Sequence, residues 1–144
     1  MSEASPLLKA LAIGKQFPGV RALHDVNLTL FQGEVLSLVG ENGAGKSTMM
    51  KILAGIHLPD EGAIELDGDF VEISNVREAQ KYGIALIHQE LNLSDNLDIA
   101  ANIFLGNEPH KSGIIDRNRI HKESAQFLKR VGLEFSTDTL VADL

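Results

Sequence analysis

A glycine-rich segment that ends in a lysine and a serine constrains the fold of this chain more than any other feature. Residues 40–47 read Gly-Glu-Asn-Gly-Ala-Gly-Lys-Ser and satisfy the pattern G-x-x-x-x-G-K-[ST]. An apolar run at 35–39 precedes the segment, and residues 46–54 follow with apolar side chains at helical spacing. Because a strand, a glycine-rich turn and a helix in this order form phosphate-binding loops, the segment predicts an α/β fold with a P-loop.

The residue types of this loop match what a nucleoside triphosphate bound with Mg²⁺ requires. Glycines let the backbone turn so that its N–H groups surround phosphate oxygens, and the following helix adds free N–H groups and a positive dipole end. Lys46 is predicted to contact the β- and γ-phosphates, Ser47 to ligate Mg²⁺, and Thr48 to donate to the α-phosphate. The alternative is a plain glycine turn with a solvated lysine. The predicted nucleotide site consists of Gly40, Glu41, Asn42, Gly43, Ala44, Gly45, Lys46, Ser47 and Thr48.

Composition excludes several other classes of protein. With 144 residues, of which 44% are hydrophobic and 23% charged, the chain is typical of one globular domain rather than a disordered or fibrous protein. Its net charge of −7 argues against a general affinity for nucleic acid or anionic lipid. The sequence contains no cysteine, no signal peptide and no apolar stretch of about 20 residues, which predicts a cytoplasmic location.

The pattern along the chain predicts a β-rich front half followed by helices. Strands are predicted over 7–17, 22–31, 35–39 and 84–87. The last two are short, nearly continuous apolar runs, which is typical of strands covered on both faces. Asp67-Gly68 lies between two alternating segments and predicts a hairpin, which argues against Asp67 as a metal ligand at the end of a buried strand. Helices are predicted over 46–54, 75–82, 97–105 and 117–131.

Four segments resemble the ATP-binding-cassette (ABC) ATPases. Asn-Gly-Ala-Gly at 42–45 is similar to the Walker A motif of that family, and Lys-Gln-Phe-Pro-Gly-Val-Arg-Ala-Leu at 15–23 resembles the segment with its adenine-stacking aromatic residue. Ile-His-Gln-Glu-Leu-Asn-Leu at 87–93 resembles its Q-loop. Ile-Ala-Ala-Asn-Ile-Phe-Leu-Gly at 99–106 is similar to the start of the helical subdomain in bacterial sugar importers. The chain looks most like the N-terminal cassette of the ribose/galactose/xylose class, in which one polypeptide carries two cassettes, and the resemblance covers about residues 7–144.

The resemblance implies a P-loop NTPase core with an antiparallel β subdomain and the start of a helical subdomain. On this basis, residues 1–92 are expected to form the core and the β subdomain, and residues 93–144 the beginning of the helical subdomain. The family's Walker B motif, its adjacent glutamate, its Leu-Ser-Gly-Gly-Gln signature and its switch histidine do not occur in the sequence. We therefore expect an incomplete domain, truncated before the signature, that binds ATP without hydrolysing it.

Individual residues receive roles from the same resemblance. Phe17 would stack on the adenine, with Val20 near the base or the ribose, and the alternative for Phe17 is a core aromatic on a strand. Gln89 would approach Mg²⁺ and the attacking water, and its alternative is an exposed loop amide. Lys46 and Gln89 are thus the predicted catalytic residues, and Ser47 and Gln89 the predicted metal contacts. A structural or solvated role is expected for His88 and Glu90.

Partners and location are also implied by the resemblance. A cassette of this class would couple ATP hydrolysis to the import of a ribose-like monosaccharide through transmembrane permease subunits. It would act with a second ABC cassette, serve a periplasmic sugar-binding protein indirectly, and lie at the inner face of the membrane without contacting nucleic acid. Two alternatives stay open, namely a soluble ABC ATPase that does not transport and a nucleotide-binding module only.

Truncation carries a further expectation for the two apolar runs. In the family, strands that follow the signature lie between the phosphate-loop strand and the Q-loop strand. Without them, residues 35–39 and 84–87 would expose unpaired N–H and C=O groups. We expect the chain to self-associate by strand exchange or edge pairing, or to close with non-native strand neighbours. The alternative is a compact front half that tolerates the loss, followed by a disordered tail past about residue 93.

Overall fold

The computed structural model of the chain describes residues 5–89 and 93–144. These residues divide into two compact units, Met1–Ile87 and His88–Leu144. Glu90, for which a structural or solvated role is predicted, lies outside the described residues. Within the described ranges, no helix is both long enough and apolar enough to cross a membrane.

The first unit is built on an antiparallel sheet of four strands. The strands are β1 (Pro6–Phe17), β2 (Val20–Phe31), β3 (Glu61–Leu66) and β4 (Asp69–Val71), in the order β2-β1-β3-β4. Asp67 and Gly68 connect β3 to β4, and both have positive φ angles of 50° and 90°. Two positive φ angles in a two-residue loop match the right-handed twist of the flanking strands, so the predicted hairpin is confirmed.

A bulge in β1 sets which of its residues face the core. Leu8 and Ala10 are buried in alternation, but the register then shifts between Ala10 and Ile13. Ala12 occupies the bulge at φ 52°, and its N–H donates to Asn27 Oδ1 at 2.8 Å. Because the side chain of Asn27 satisfies this backbone group, the strand can insert one extra residue and bring Ile13 back to the buried face.

Two helices accompany the sheet in the first unit. They are α1 (Lys46–Leu53) and α2 (Val76–Lys81), close to the bounds expected from the sequence. Met49, Ile52 and Leu53 of α1 join the buried residues of the sheet in one apolar core, whose strand members include Leu8, Ala10, Ile13, Leu23 and Ile64. The core therefore fixes α1, and with it the loop that precedes α1, against the sheet.

The prediction of buried strands at 35–39 and 84–87 is wrong for this structure. Among the described residues, neither run belongs to a sheet. Val35, Val39 and Ile87 are more than nine-tenths exposed. An apolar run is buried as a strand only where other strands pair with it and cover its faces, and the four strands of this sheet pair with one another instead.

The second unit combines short helices with a small hairpin. It contains α3 (Ile99–Phe104), a hairpin of β5 (His110–Lys111) and β6 (Ile114–Ile115), α4 (Arg117–Arg130) and a 3₁₀ turn over Val141–Asp143. Asp98 and Asp116 cap the two helices by accepting from the N–H groups of Ala101 and Arg119 at 2.7 and 3.1 Å. The helices pack through Phe104 and Phe127, whose ring centroids lie 6.2 Å apart.

Candidate nucleotide-binding site

Two glycines of the loop adopt a backbone conformation that other residues avoid. Gly43 and Gly45 have φ angles of 88° and 85°, in the left-handed region. Between them, the N–H of Ala44 donates to the carbonyl oxygen of Glu41 at 3.2 Å and closes a turn. A Cβ on Gly45 would also lie 2.5 Å from the carbonyl oxygen of Ala22. Glycine is therefore required at this position both for the turn and for the close approach of β2.

The start of α1 has free hydrogen-bond donors. Gly45 is the N-cap residue, no side chain caps the helix, and its first turn contains no acidic residue. The other α-helices of the described ranges begin differently, because the side chains of Asn75, Asp98 and Asp116 each cap one of them. The first N–H groups of α1 thus lack the acceptor that a cap supplies, and the positive end of the helix dipole adds to the attraction for an anion.

Lys46 lies folded over the loop. Its Nζ donates to the carbonyl oxygens of Gly40 and Glu41, at 2.7 Å in both cases. These two bonds hold the ammonium group beside the glycine-rich turn, where a phosphate chain bound by the backbone N–H groups would meet it. Ser47 follows with an exposed side chain, and Thr48 is half-buried. Donors, one cation and a hydroxyl group suited to Mg²⁺ therefore lie next to one another, and this set fits a nucleoside triphosphate with its magnesium ion.

A cavity of about 340 Å³ opens beside the loop in the first unit. Its lining includes Leu23, Asn27, Leu38, Ala44, Gly45 and Lys46. Binding sites for small molecules commonly measure about 300–1,000 Å³ and combine apolar walls with a few polar groups. The cavity meets this description at the side of Lys46.

Phe17 ends β1 and is half-buried, outside the apolar core of the first unit. Its ring meets the ring of His57 edge-on, with centroids 5.4 Å apart and planes at 71°. The Nζ of Lys15 lies 5.7 Å from the Phe17 centroid, within range of a cation–π contact. The aromatic ring is therefore held by neighbours while part of it stays accessible for stacking.

Asp60 fixes the position of Lys15 and the end of β1. One of its carboxylate oxygens accepts from Lys15 Nζ at 2.6 Å, and the other accepts from the N–H of Gln16 at 2.7 Å. The hydrogen bond from Lys15, followed by that from Gln16, lowers the pKa of the Asp60 carboxyl group below its ordinary value. Sequence reasoning missed both Asp60 and His57, because no local pattern links them to a strand that is distant in the sequence.

Val20 begins β2 and is exposed, directly opposite Phe17 in the register of the two strands. Two residues further along the same strand, Ala22 touches Gly45 of the loop. The first unit therefore brings the turn after Phe17 and the phosphate loop together through β2.

Gln89 belongs to the second unit, where it lies in a bend and is exposed; the preceding residue, His88, is exposed as well. The neighbouring Q-loop residues 90–92 lie outside the described ranges. A contact of Gln89 with Mg²⁺ stays a prediction.

Comparison with known proteins gives a consistent match. Residues 23–144 match the ABC transporter family. The chain is 53% identical over 140 residues to the ribose import ATP-binding protein RbsA of Caldanaerobacter subterraneus subsp. tengcongensis, covering 96% of this chain and 28% of the relative. It is 50% identical over 141 residues to the xylose import ATP-binding protein XylG of Photobacterium profundum, with coverages of 96% and 28%. The chain thus spans little more than a quarter of the length of these relatives.

Among solved structures, the chain is similar to the ATP-binding cassette MJ0796 in a dimeric post-hydrolysis state bound to ADP and Pi. The TM-score is 0.70 at 26% identity, covering 95% of this chain and 62% of the cassette.

Proposed function

The chain belongs to the ABC transporter family, and on that premise we propose that it is the ATP-binding part of the ATPase subunit of a sugar importer. The observation that carries the proposal is the uncapped start of α1 beneath a glycine turn, with Lys46 held over that turn. The importer class is supported by the names of the relatives at 53% and 50% identity, which are a ribose and a xylose import protein. We propose a ribose-like monosaccharide as the transported substrate.

In the proposed complex, different residues of the loop would bind different parts of ATP. The backbone N–H groups of Gly43 and of residues 45–48 would donate to the phosphate oxygens, and Lys46 would exchange its two carbonyl acceptors for the β- and γ-phosphates. Thr48 would donate to the α-phosphate, and Ser47 would ligate Mg²⁺. When bound, Mg²⁺ supplies positive charge that neutralises the β- and γ-phosphate oxygens. Phe17 would stack on the adenine, because its exposed π surface needs no hydrogen bond from the base.

The remaining assignments concern the whole transporter. We propose that Gln89 approaches Mg²⁺ and the attacking water, and that hydrolysis takes place with a second ABC cassette. Transmembrane permease subunits would hold the protein at the cytoplasmic face of the membrane, and a periplasmic sugar-binding protein would act through them. The 144 residues contain no Walker B carboxylates, so this polypeptide as such is expected to bind ATP without hydrolysing it.

Calorimetric titration with ATP and Mg²⁺ tests the site. Lys46→Ala should weaken binding by about 1.5–3 kcal/mol, since a charge-assisted contact to the phosphates is lost. Lys51→Ala is the matched control, because Lys51 is exposed on the last turn of the same helix. Equal affinities of the Lys46→Ala variant and the unmodified chain would remove the phosphate-loop assignment. Steady phosphate release that the Lys46→Ala variant lacks would contradict the expected absence of hydrolysis.

A further inference from the structure

Three side chains with metal-binding atoms converge in the second unit, in a part of the chain that the proposed nucleotide site does not use. They are Asp98, His121 and Asp138, and each offers one ligand atom within 4.8 Å of the other two. Asp98 is the N-cap of α3, His121 lies on α4, and Asp138 belongs to the segment before the 3₁₀ turn. Three separate elements therefore meet at one point.

Backbone hydrogen bonds join the start of α3 to the segment 137–140, which contains Asp138. The N–H groups of Ile99 and Ala100 donate to the carbonyl oxygens of Thr139 and Thr137 at 2.9 and 3.0 Å. Asp98 also forms a bridge with Leu140. The segment 137–140 is thereby fixed to the start of α3, so the backbones of Asp98 and Asp138 keep their spacing without any contribution from a ligand.

The polar contacts within the cluster leave one oxygen of Asp98 for an ion, whereas His121 Nδ1 would have to give up a hydrogen bond to Thr137 to ligate it. His121 Nδ1 lies 3.0 Å from Thr137 Oγ1 and 3.6 Å from Asp138 Oδ1, and the longer distance is beyond a good hydrogen bond. Asp98 Oδ1 accepts from the N–H of Ala101, which orients the carboxylate and leaves its second oxygen. Asp98 and His121 are half-buried, whereas the side chain of Asp138 is 77% exposed and can change rotamer.

We propose that Asp98, His121 and Asp138 form a binding site for Zn²⁺. One imidazole nitrogen and two carboxylate oxygens are ligands that zinc accepts, with a water molecule as the fourth. Ca²⁺ and Mg²⁺ prefer sets made of oxygen atoms alone, which the imidazole does not supply. Tetrahedral ligands about 2.0–2.2 Å from zinc lie about 3.4 Å apart. The cluster therefore has to close by about 1.4 Å at most, within reach of small rotamer changes of the carboxylates.

Binding at this site would tie the start of α3, the second turn of α4 and the segment 137–140 together. Thr137 would then serve as an outer partner, since its hydroxyl group lies beside the imidazole and can turn toward a carboxylate. None of the three residues belongs to the phosphate loop, so zinc binding can be measured without nucleotide.

Titration of the full chain with ZnCl₂, in excess Mg²⁺ and without nucleotide, tests the proposal. We expect one ion per chain at pH 7.5. His121→Ala and Asp138→Asn should each lower the affinity at least about tenfold. His110→Ala is the matched control, since His110 is exposed on β5 and lies outside the cluster.

Thermal unfolding provides a second readout. Zinc should raise the Tm of the unmodified chain and of the His110→Ala variant, because an ion that binds only the folded state stabilises that state. It should leave the Tm of the two cluster variants unchanged. If His121→Ala does not fold, Asp138→Asn decides the matter, because the exposed Asp138 carries no packing role. A folded chain that binds no zinc, or cluster variants that bind it as well as the unmodified chain, would overturn the proposal.

Discussion

At the scale of single residues, Gly45 links backbone conformation to the proposed binding of phosphate. Its left-handed φ angle closes the loop, and its missing Cβ lets the carbonyl oxygen of Ala22 approach. The same residue is the N-cap of α1, where glycine leaves the N–H groups of the first turn uncapped. One residue without a side chain therefore meets the demands of the turn, of strand packing and of the proposed anion site.

Phe17 is the residue on which base binding is predicted to depend. Phe17→Ala should weaken the binding of ATP and ADP by about 1–3 kcal/mol, by analogy with the stacking of bases on aromatic side chains. Binding of inorganic triphosphate should not change, because that ligand has no base. Phe70→Ala is the control, since Phe70 is 71% exposed on β4. An equal loss for all three ligands, measured calorimetrically, would mean that Phe17 acts through the stability of the fold.

At the scale of elements, Asp60 joins the end of β1 to the start of β3. Its carboxylate accepts hydrogen bonds from Lys15 Nζ and from the backbone N–H of Gln16. Strand β3 begins at the next residue, Glu61. The Lys15 ammonium group that it holds also lies over the ring of Phe17. The position of the predicted adenine-stacking residue is therefore coupled to one ion pair between neighbouring strands.

The lowered pKa of Asp60 predicts an acid-sensitive link. A carboxyl group whose pKa is depressed in the folded state contributes stability above its ordinary pKa and loses that contribution as the pH falls through the depressed value. The loss is thus expected below about pH 4, the ordinary range for aspartate. NMR titration of the Gln16 amide should report a midpoint below that of an unperturbed aspartate, and the signal should not titrate in Asp60→Asn. A midpoint at the ordinary value would show that the link is absent in solution.

At the scale of the whole molecule, the chain combines well-packed parts with uncovered apolar residues. The sheet and α1 share one core in the first unit, while Val35, Val39 and Ile87 of the same unit are more than nine-tenths exposed. Leu36 and Leu38 line cavities of about 400 and 340 Å³. Exposed apolar patches of this kind, on backbone that lies outside the sheet, favour association with another chain.

We therefore predict that the 144-residue chain self-associates through residues 35–39. Light scattering after size-exclusion chromatography should show a species larger than 15.6 kDa that dissociates on dilution. The double substitution Val35→Thr and Val39→Thr should shift this equilibrium towards the monomer, because it removes exposed apolar surface and keeps a β-branched shape. Ile114→Thr is the control, since Ile114 is 74% exposed on β6 of the second unit.

Hydrogen exchange at 35–39 and 84–87 tests the same idea on the backbone. Both runs should gain protection as the protein concentration rises, because pairing with a second chain buries their N–H groups. A monomer at all concentrations, with both runs strongly protected, would contradict the prediction and indicate pairing within the chain.

The sequence by itself determined the features that depend on near neighbours. The glycine turn at 40–45, the helix after it and the Asp67-Gly68 hairpin follow from residue types and spacings, because φ preferences, capping and apolar periodicity act over a few residues. Tertiary structure alone decided the contacts of Phe17 with His57, of Asp60 with Lys15 and of Gly45 with Ala22, which join residues from distant parts of the chain. Tertiary structure also decided that residues 35–39 and 84–87 do not join the sheet. An apolar run favours burial, but its pairing depends on which other strands lie beside it.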